Sequence, residues 1–114
     1  MRLTTDIWVS AWLRHVAGSG AMAVVVRRGA REAGAVAVKV NRLDTTFDLY
    51  LPAPQAVFDD ARPAERLFCC VLEKAPEEDV EARLSREADF DSDLWIIEVE
   101  DRPGRAFVET APVD

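Results

Sequence analysis

Between Leu94 and Glu100 the chain reads LWIIEVE, a run whose polarity alternates only in its second half. Drawn as a strand, Trp95, Ile97 and Val99 leave one face, and Leu94, Ile96, Glu98 and Glu100 leave the other. The same two-residue period recurs upstream. Val36, Val38 and Val40 oppose Ala35, Ala37, Lys39 and Asn41, and Phe47, Leu49 and Leu51 oppose Asp48 and Tyr50. AMAVVVRRG, from Ala21, is a β-branched run of the same kind. AREAG and DTT lie between these runs as turns, so residues 21–51 read as an antiparallel meander. Ala21, Ala23, Ala35 and Ala37 stand opposite the valines, and small side chains on a sheet let a helix approach closely.

Two segments carry helical signals. Thr4, Thr5 and Asp6 supply a cap and a first-turn acid, and Ile7, Trp8, Ala11, Trp12, His15 and Val16 follow at helical spacing before Gly18 and Gly20. That predicts a helix over 6–17, although alternation through the same residues also fits a strand. The second segment, APEEDVEARLSREADF, has Pro76 at its start, Glu77, Glu78 and Asp79 at the positive end of the helix, and a Val80/Leu84/Ala88 stripe. Before it, a Pro-rich connection with one helical turn near 55–59 leads into RLFCCVLE. That run is apolar on both faces and reads as a central strand covered on both sides, with a buried helix as the alternative. The expected architecture is one α+β domain over residues 1–114, in the order α-β-β-β-β-α-β. Its largely antiparallel sheet of about five strands would be packed by two main helices.

A chain of 114 residues with 49% apolar and 31% charged residues is ordinary globular material. No apolar run approaches the roughly 20 residues that cross a bilayer, and Asp6 and Arg14 interrupt the apolar N-terminus, so a cytoplasmic chain without a membrane partner is expected. The net charge of −7 argues against nucleic acid as a partner. The charge is uneven: residues 1–43 hold seven basic side chains against two acids, and residues 44–114 hold seven against nineteen. The two parts would attract each other within one fold or across a dimer. Cys69 and Cys70 are adjacent, which disfavours a disulfide between them, and with one histidine in the chain a zinc site lacks its usual ligands. They fit two small apolar residues on opposite faces of a buried strand.

Two constellations could carry chemistry. Glu98 and Glu100 share a strand face about 7 Å apart. With Asp101, and with Asp48 or Lys39 from neighbouring strands, they would sketch a metal-dependent hydrolase or nuclease site. The competing reading is a strand leaving the core, with the arginines of Arg102-Pro103-Gly104-Arg105 pairing its acids. Arg27, Arg28 and Arg31 cluster at a strand end and, with Arg102, could contact a small anion or an acidic partner. A solvated turn is the plainer account. His15 lacks a nucleophile and acid at a triad spacing, and Trp8 and Trp12 fit either a helix docked on a sheet or a groove. No phosphate-binding glycine loop, CxxC pair or HExxH is present, and no cofactor is expected.

IWVSAWLR, VVVRRG, AGAVAVKVN and DLWIIEVEDRPGRAF, taken in that order, resemble a family of small bacterial proteins known only as a domain of unknown function, number 1491. Leu94 to Arg102 is the most specific part of the likeness. The resemblance implies a compact stand-alone cytosolic domain and carries over no catalytic residue. The expected function is therefore non-catalytic binding of a protein partner or a small anion, or self-association, with the carboxylate hydrolase as the alternative.

Overall fold

A computed structural model describes residues 3–54 and 66–111. The expected helical turn at 55–59 lies outside the described residues. The elements run α1 (Thr5–Gly18), β1 (Met22–Arg27), β2 (Val36–Asn41), β3 (Phe47–Pro52), β4 (Phe68–Ala75), α2 (Glu77–Phe90) and β5 (Trp95–Glu100), which is the expected order. The class is α+β, with two helices and a mostly antiparallel five-stranded sheet.

The first helix forms because both its apolar stripe and its open amides find partners. Val9, Trp12 and Val16 are buried against the sheet, which selects the helical reading of this segment over the strand. The Thr5 and Asp6 amides donate to the carbonyls of Glu32 and Arg31 at 3.0 Å, meeting the unsatisfied donors of a helix start. Asp6 Oδ1 accepts from the Thr4 hydroxyl at 2.6 Å and the Ile7 amide at 2.9 Å.

The sheet order is β1-β5-β2-β3-β4, with β2 and β5 parallel and the other pairs antiparallel. This corrects the expected meander: β2 and β3 form a hairpin, but β5 lies between β1 and β2. The physical reason is burial. Trp95, Ile96 and Ile97 are apolar on both faces and need neighbours on both sides. AREAG is then no hairpin turn but part of a connection passing the start of β5, where Ala30 N donates to Asp93 O at 2.9 Å and Trp95 N to Ala35 O at 2.8 Å. Only glycine permits this approach at residue 29, since a Cβ there would lie 2.0 Å from the Asp93 carbonyl oxygen.

A second correction concerns RLFCCVLE. β4 is an edge strand, not a central one, and Cys69 is half-buried and Cys70 exposed, so neither sits in a covered strand. Its apolar character serves other contacts. Phe68 is buried in the α1-side core, and its outer edge meets the C-terminal segment through Phe68 N to Glu109 O (3.0 Å) and Ala111 N to Phe68 O (2.9 Å).

The helices cover opposite faces of the sheet. Val36, Val38, Val40, Trp95, Ile97 and Val99 pack beneath α1, while Ala37, Leu49, Leu51, Leu94 and Ile96 pack beneath Val80 and Leu84 of α2. The four alanines divide likewise, Ala21 and Ala23 toward α1 and Ala35 and Ala37 toward α2. Full burial of each large side chain contributes about 1.5–3 kcal/mol. No helix among the described residues is long and apolar enough to cross a membrane.

Candidate functional site

The parallel register of β2 and β5 makes Lys39 and Glu98 direct neighbours on the α2 face. The first turns of α2 then bring two more carboxylates over them. Lys39 Nζ donates to Glu77 Oε2 at 2.7 Å and stands 3.7 Å from both Glu81 Oε2 and Glu98 Oε1. The Lys39 side chain is 5% exposed, and its ammonium also lies 4.9 Å from the centre of the Phe47 ring. A groove of about 230 Å³ opens beside this cluster, with Val26, Leu84, Ala88 and Ile96 as its apolar wall and Lys39, Glu81 and Glu98 as its polar one.

Burial opposes the Lys39 charge, but the Glu77 hydrogen bond and the attraction of Glu98 and Glu81 outweigh it and hold the ammonium above its ordinary pKa. Burial pushes the Glu98 carboxyl up, Lys39 draws it down, and Glu77, Glu81 and Glu100 add to the rise. Replacing Lys39 by Met keeps the aliphatic stem and removes the one cation in the cluster. At pH 7 the variant is expected to lose about 1–3 kcal/mol. The sign with pH follows from linkage. A carboxyl with a raised folded pKa takes up a proton more readily in the folded chain, so stability returns as pH falls through that raised range. The deficit of Lys39→Met should therefore shrink between pH 7 and about 5. Urea unfolding across this range measures it, and a pH-independent deficit would contradict the cluster's role.

Of the carboxylates singled out from the sequence, Glu98 and Glu100 share a face of β5 and Asp101 stands apart. Glu98 lies in the groove beside Lys39, and Glu100 is exposed at the end of β5. Asp101 is buried elsewhere, accepting from the Arg105 amide at 2.7 Å and from its guanidinium at 3.1 and 2.9 Å. The Arg105 hydrogen bonds hold the Asp101 carboxyl below its usual range despite burial. Among the described residues no three His, Cys, Asp or Glu side chains group as metal ligands. The ammonium of Lys39 stands where the Glu98 face would present a cation.

The arginines are also dispersed. Arg27 donates to the carbonyl oxygens of Leu94 and Ser92, Arg28 lies 5.0 Å over the Trp95 ring, and Arg31 pairs with Asp6 at 3.0 Å with its side chain 83% exposed. Arg102 is exposed in the turn after β5, at the opposite end of that strand from Arg27. His15 is exposed, edge-on to Phe107 at 5.7 Å between ring centres. Trp12 is buried and donates to Ala106 O at 3.1 Å, and Trp8 stacks on Phe68.

Two larger hollows, of about 500 and 440 Å³, share Pro52 as a wall and border Arg66 and Pro54, which flank the undescribed stretch.

One surface carried no functional signal in the sequence. β1 is the other edge of the sheet, and Met22, Val24 and Val26 on its α2 side are 70%, 55% and 55% exposed. Their alternation with Ala23 and Val25 is visible in the sequence, but α2 packs mainly over β3 and β4, reaches β2 and β5, and leaves these three side chains exposed.

The fold and nearly the whole chain recur in known proteins. A family model described as a protein of unknown function (DUF1491) matches residues 3–109. The solution structure of protein Atu0922 from A. tumefaciens is 38% identical with a TM-score of 0.84, over 100% of this chain and 98% of that one. The crystal structure of a DUF1491 family protein from Caulobacter crescentus CB15 is 40% identical with a TM-score of 0.78, over 100% and 99%. No curated relative matches. By family model and by structural likeness along its full length, the chain belongs to the DUF1491 family.

Proposed function

We propose that this chain is a non-catalytic protein-interaction domain whose docking surface is the open β1 edge with its apolar outer face. The observation that carries this reading is the exposure of Met22, Val24 and Val26 together on one edge strand. An edge strand presents unpaired amides and carbonyls, and natural sheets blunt such edges with charges, bulges or a covering segment. The opposite edge is blunted in these ways. β4 has two register irregularities against β3, carries Glu73 and Lys74, and is met at Phe68 by the C-terminal segment. β1 has one irregularity, at its Arg27 end, and its middle is apolar. An extended partner segment would add to it as a further strand. The cytoplasm is the fitting compartment for such an encounter, since Cys69 and Cys70 are both free.

The other readings have less support. Arg27, Arg28 and Arg31 are each engaged within the chain, which weakens an anion site at that turn. Glu98 and Glu100 share a face, but Glu98 is matched by Lys39 and Asp101 turns away to Arg105, which weakens the hydrolase.

A photo-cross-linking phenylalanine analogue in place of Val24, introduced in the native cell, is expected to give a discrete adduct. The same analogue at Glu73 on the β4 edge should give none. No adduct at residue 24, or equal labelling at both edges, overturns the reading.

A further inference from the structure

Resting on that reading, we propose that the segment which fits the β1 edge is β1 of a second copy, paired antiparallel about a two-fold axis through Val24. Two antiparallel strands related by a two-fold must keep the same face on the same side, so residue 24 meets its own mate and residues 22 and 26 meet each other. Met22, Val24 and Val26 of both copies then form one continuous apolar stripe on the α2 side, covering surface that each copy alone leaves in water.

The charges along the edge suit this direction and not the parallel one. Arg27 ends β1 at one end, and Glu100 is the Cα partner of Met22 at the other. Antiparallel pairing sets Arg27 opposite Ala21 and diagonal to Met22 of the second copy, and so ~10 Å, about two strand spacings, from the second copy's Glu100 at the backbone. A guanidinium and a carboxylate span that gap. Only Nη1 of Arg27 is engaged with the Leu94 and Ser92 carbonyls, so donors remain for the pair. Symmetry makes the contact twice. At the centre, Glu98 sits beside Val24 but is matched by Lys39 of its own chain, so the axis gathers no unbalanced charge. Parallel pairing would place Arg27 against Arg27. A six-residue seam is smaller than the ~800 Å² per partner of a standard interface, so the association is concentration-dependent.

Sedimentation equilibrium of the purified chain over a wide concentration range tests this. A reversible rise from 12.7 kDa toward twice that mass is expected. Val24→Lys sets two ammonium groups against each other at the axis and should weaken association about tenfold or more. Val24 is 55% exposed, so the variant should fold, which circular dichroism checks. As a second route, Arg27→Glu and Glu100→Arg should each weaken the dimer, and their combination should restore it. A purely structural role for either residue would not produce that restoration. A monomer at every concentration, or a dimer indifferent to Val24→Lys and to the charge exchange, overturns the proposal. If the purified chain is monomeric while the residue-24 cross-link captures a different protein, the docking edge stands and self-pairing falls.

Discussion

Asp48→Ala is expected to cost about 2–4 kcal/mol of folding stability, because it leaves a half-buried guanidinium and the Lys74 amide without the carboxylate they share. The Asp48 carboxylate is fully buried and accepts from Arg42 Nε at 3.1 and 3.0 Å, from Arg42 Nη2 at 2.7 Å and from the Lys74 amide at 2.8 Å. Three strands meet in that one group, since Arg42 follows β2, Asp48 lies in β3 and Lys74 in β4. Lys74 holds a left-handed backbone, φ 52°, that accompanies its amide's approach to Asp48. Arg42 in turn lies across Gly104, where a Cβ would come 2.5 Å from its Cζ, so the turn after β5 depends on the same pair. Urea unfolding followed by circular dichroism should show the loss, with a fall in Tm of about 10 °C or more. A controlled comparison separates charge from packing. Replacing both partners, as Arg42→Met with Asp48→Leu, should recover much of the stability, since removing a buried pair together avoids the orphaned ion. A loss of under about 1 kcal/mol in Asp48→Ala would show that the pair holds nothing together.

Asp48 also marks the limit of what alternation reveals. The two-residue period assigns it correctly to the face opposite Phe47, Leu49 and Leu51, but that face looks solvated in the sequence and is buried in the fold. Its partners come from the strands on either side, Arg42 after β2 and Lys74 in β4, and periodicity does not register neighbouring strands. The faces of β2, β3 and β5 were legible for the complementary reason: Val36, Val38, Val40, Trp95, Ile97 and Val99 form one apolar side whatever lies next to them. Strand order was not legible. Alternation names faces and not neighbours, so the insertion of β5 between β1 and β2 was hidden, as was the edge position of β4. The pairing of Lys39 with Glu98 depends on that same insertion. Glu98 and Glu100 could be placed on one face, but the lysine that neutralises only the first of them required the parallel register. The open face of β1 was hidden in the same way, because Met22, Val24 and Val26 look as buried as any other strand residues until α2 is placed elsewhere.

Trp95→Ala is expected to cost about 3–5 kcal/mol, through a cavity under α1 and the release of the connection between β1 and β2. The Trp95 side chain is 1% exposed, its Nε1 donates to Ala30 O at 2.7 Å, and Arg28 lies over its ring. Removing the indole leaves the Ala30 carbonyl with only the longer bond from the Gly34 amide, at 3.3 Å, and takes away the surface on which residues 28–35 rest. Two readouts follow. Global unfolding should shift, measured by circular dichroism because Trp8 and Trp12 remain as fluorophores. Trypsin should also cut faster after Arg28 and Arg31 under native conditions, reporting local opening of the connection. Trp95→Phe retains most of the ring volume and loses the Nε1 donor, so it should cost about 1–2 kcal/mol with little change in tryptic cutting. Unchanged proteolysis in Trp95→Ala would mean that the connection is held by its backbone contacts to Asp93, Thr5, Asp6 and residue 95 without the indole. The pair of variants also bears on association. β5 carries β1 along its whole length, so a chain that keeps Trp95 or a phenylalanine there keeps the β1 edge in place, and Trp95→Phe should self-associate as the parent does.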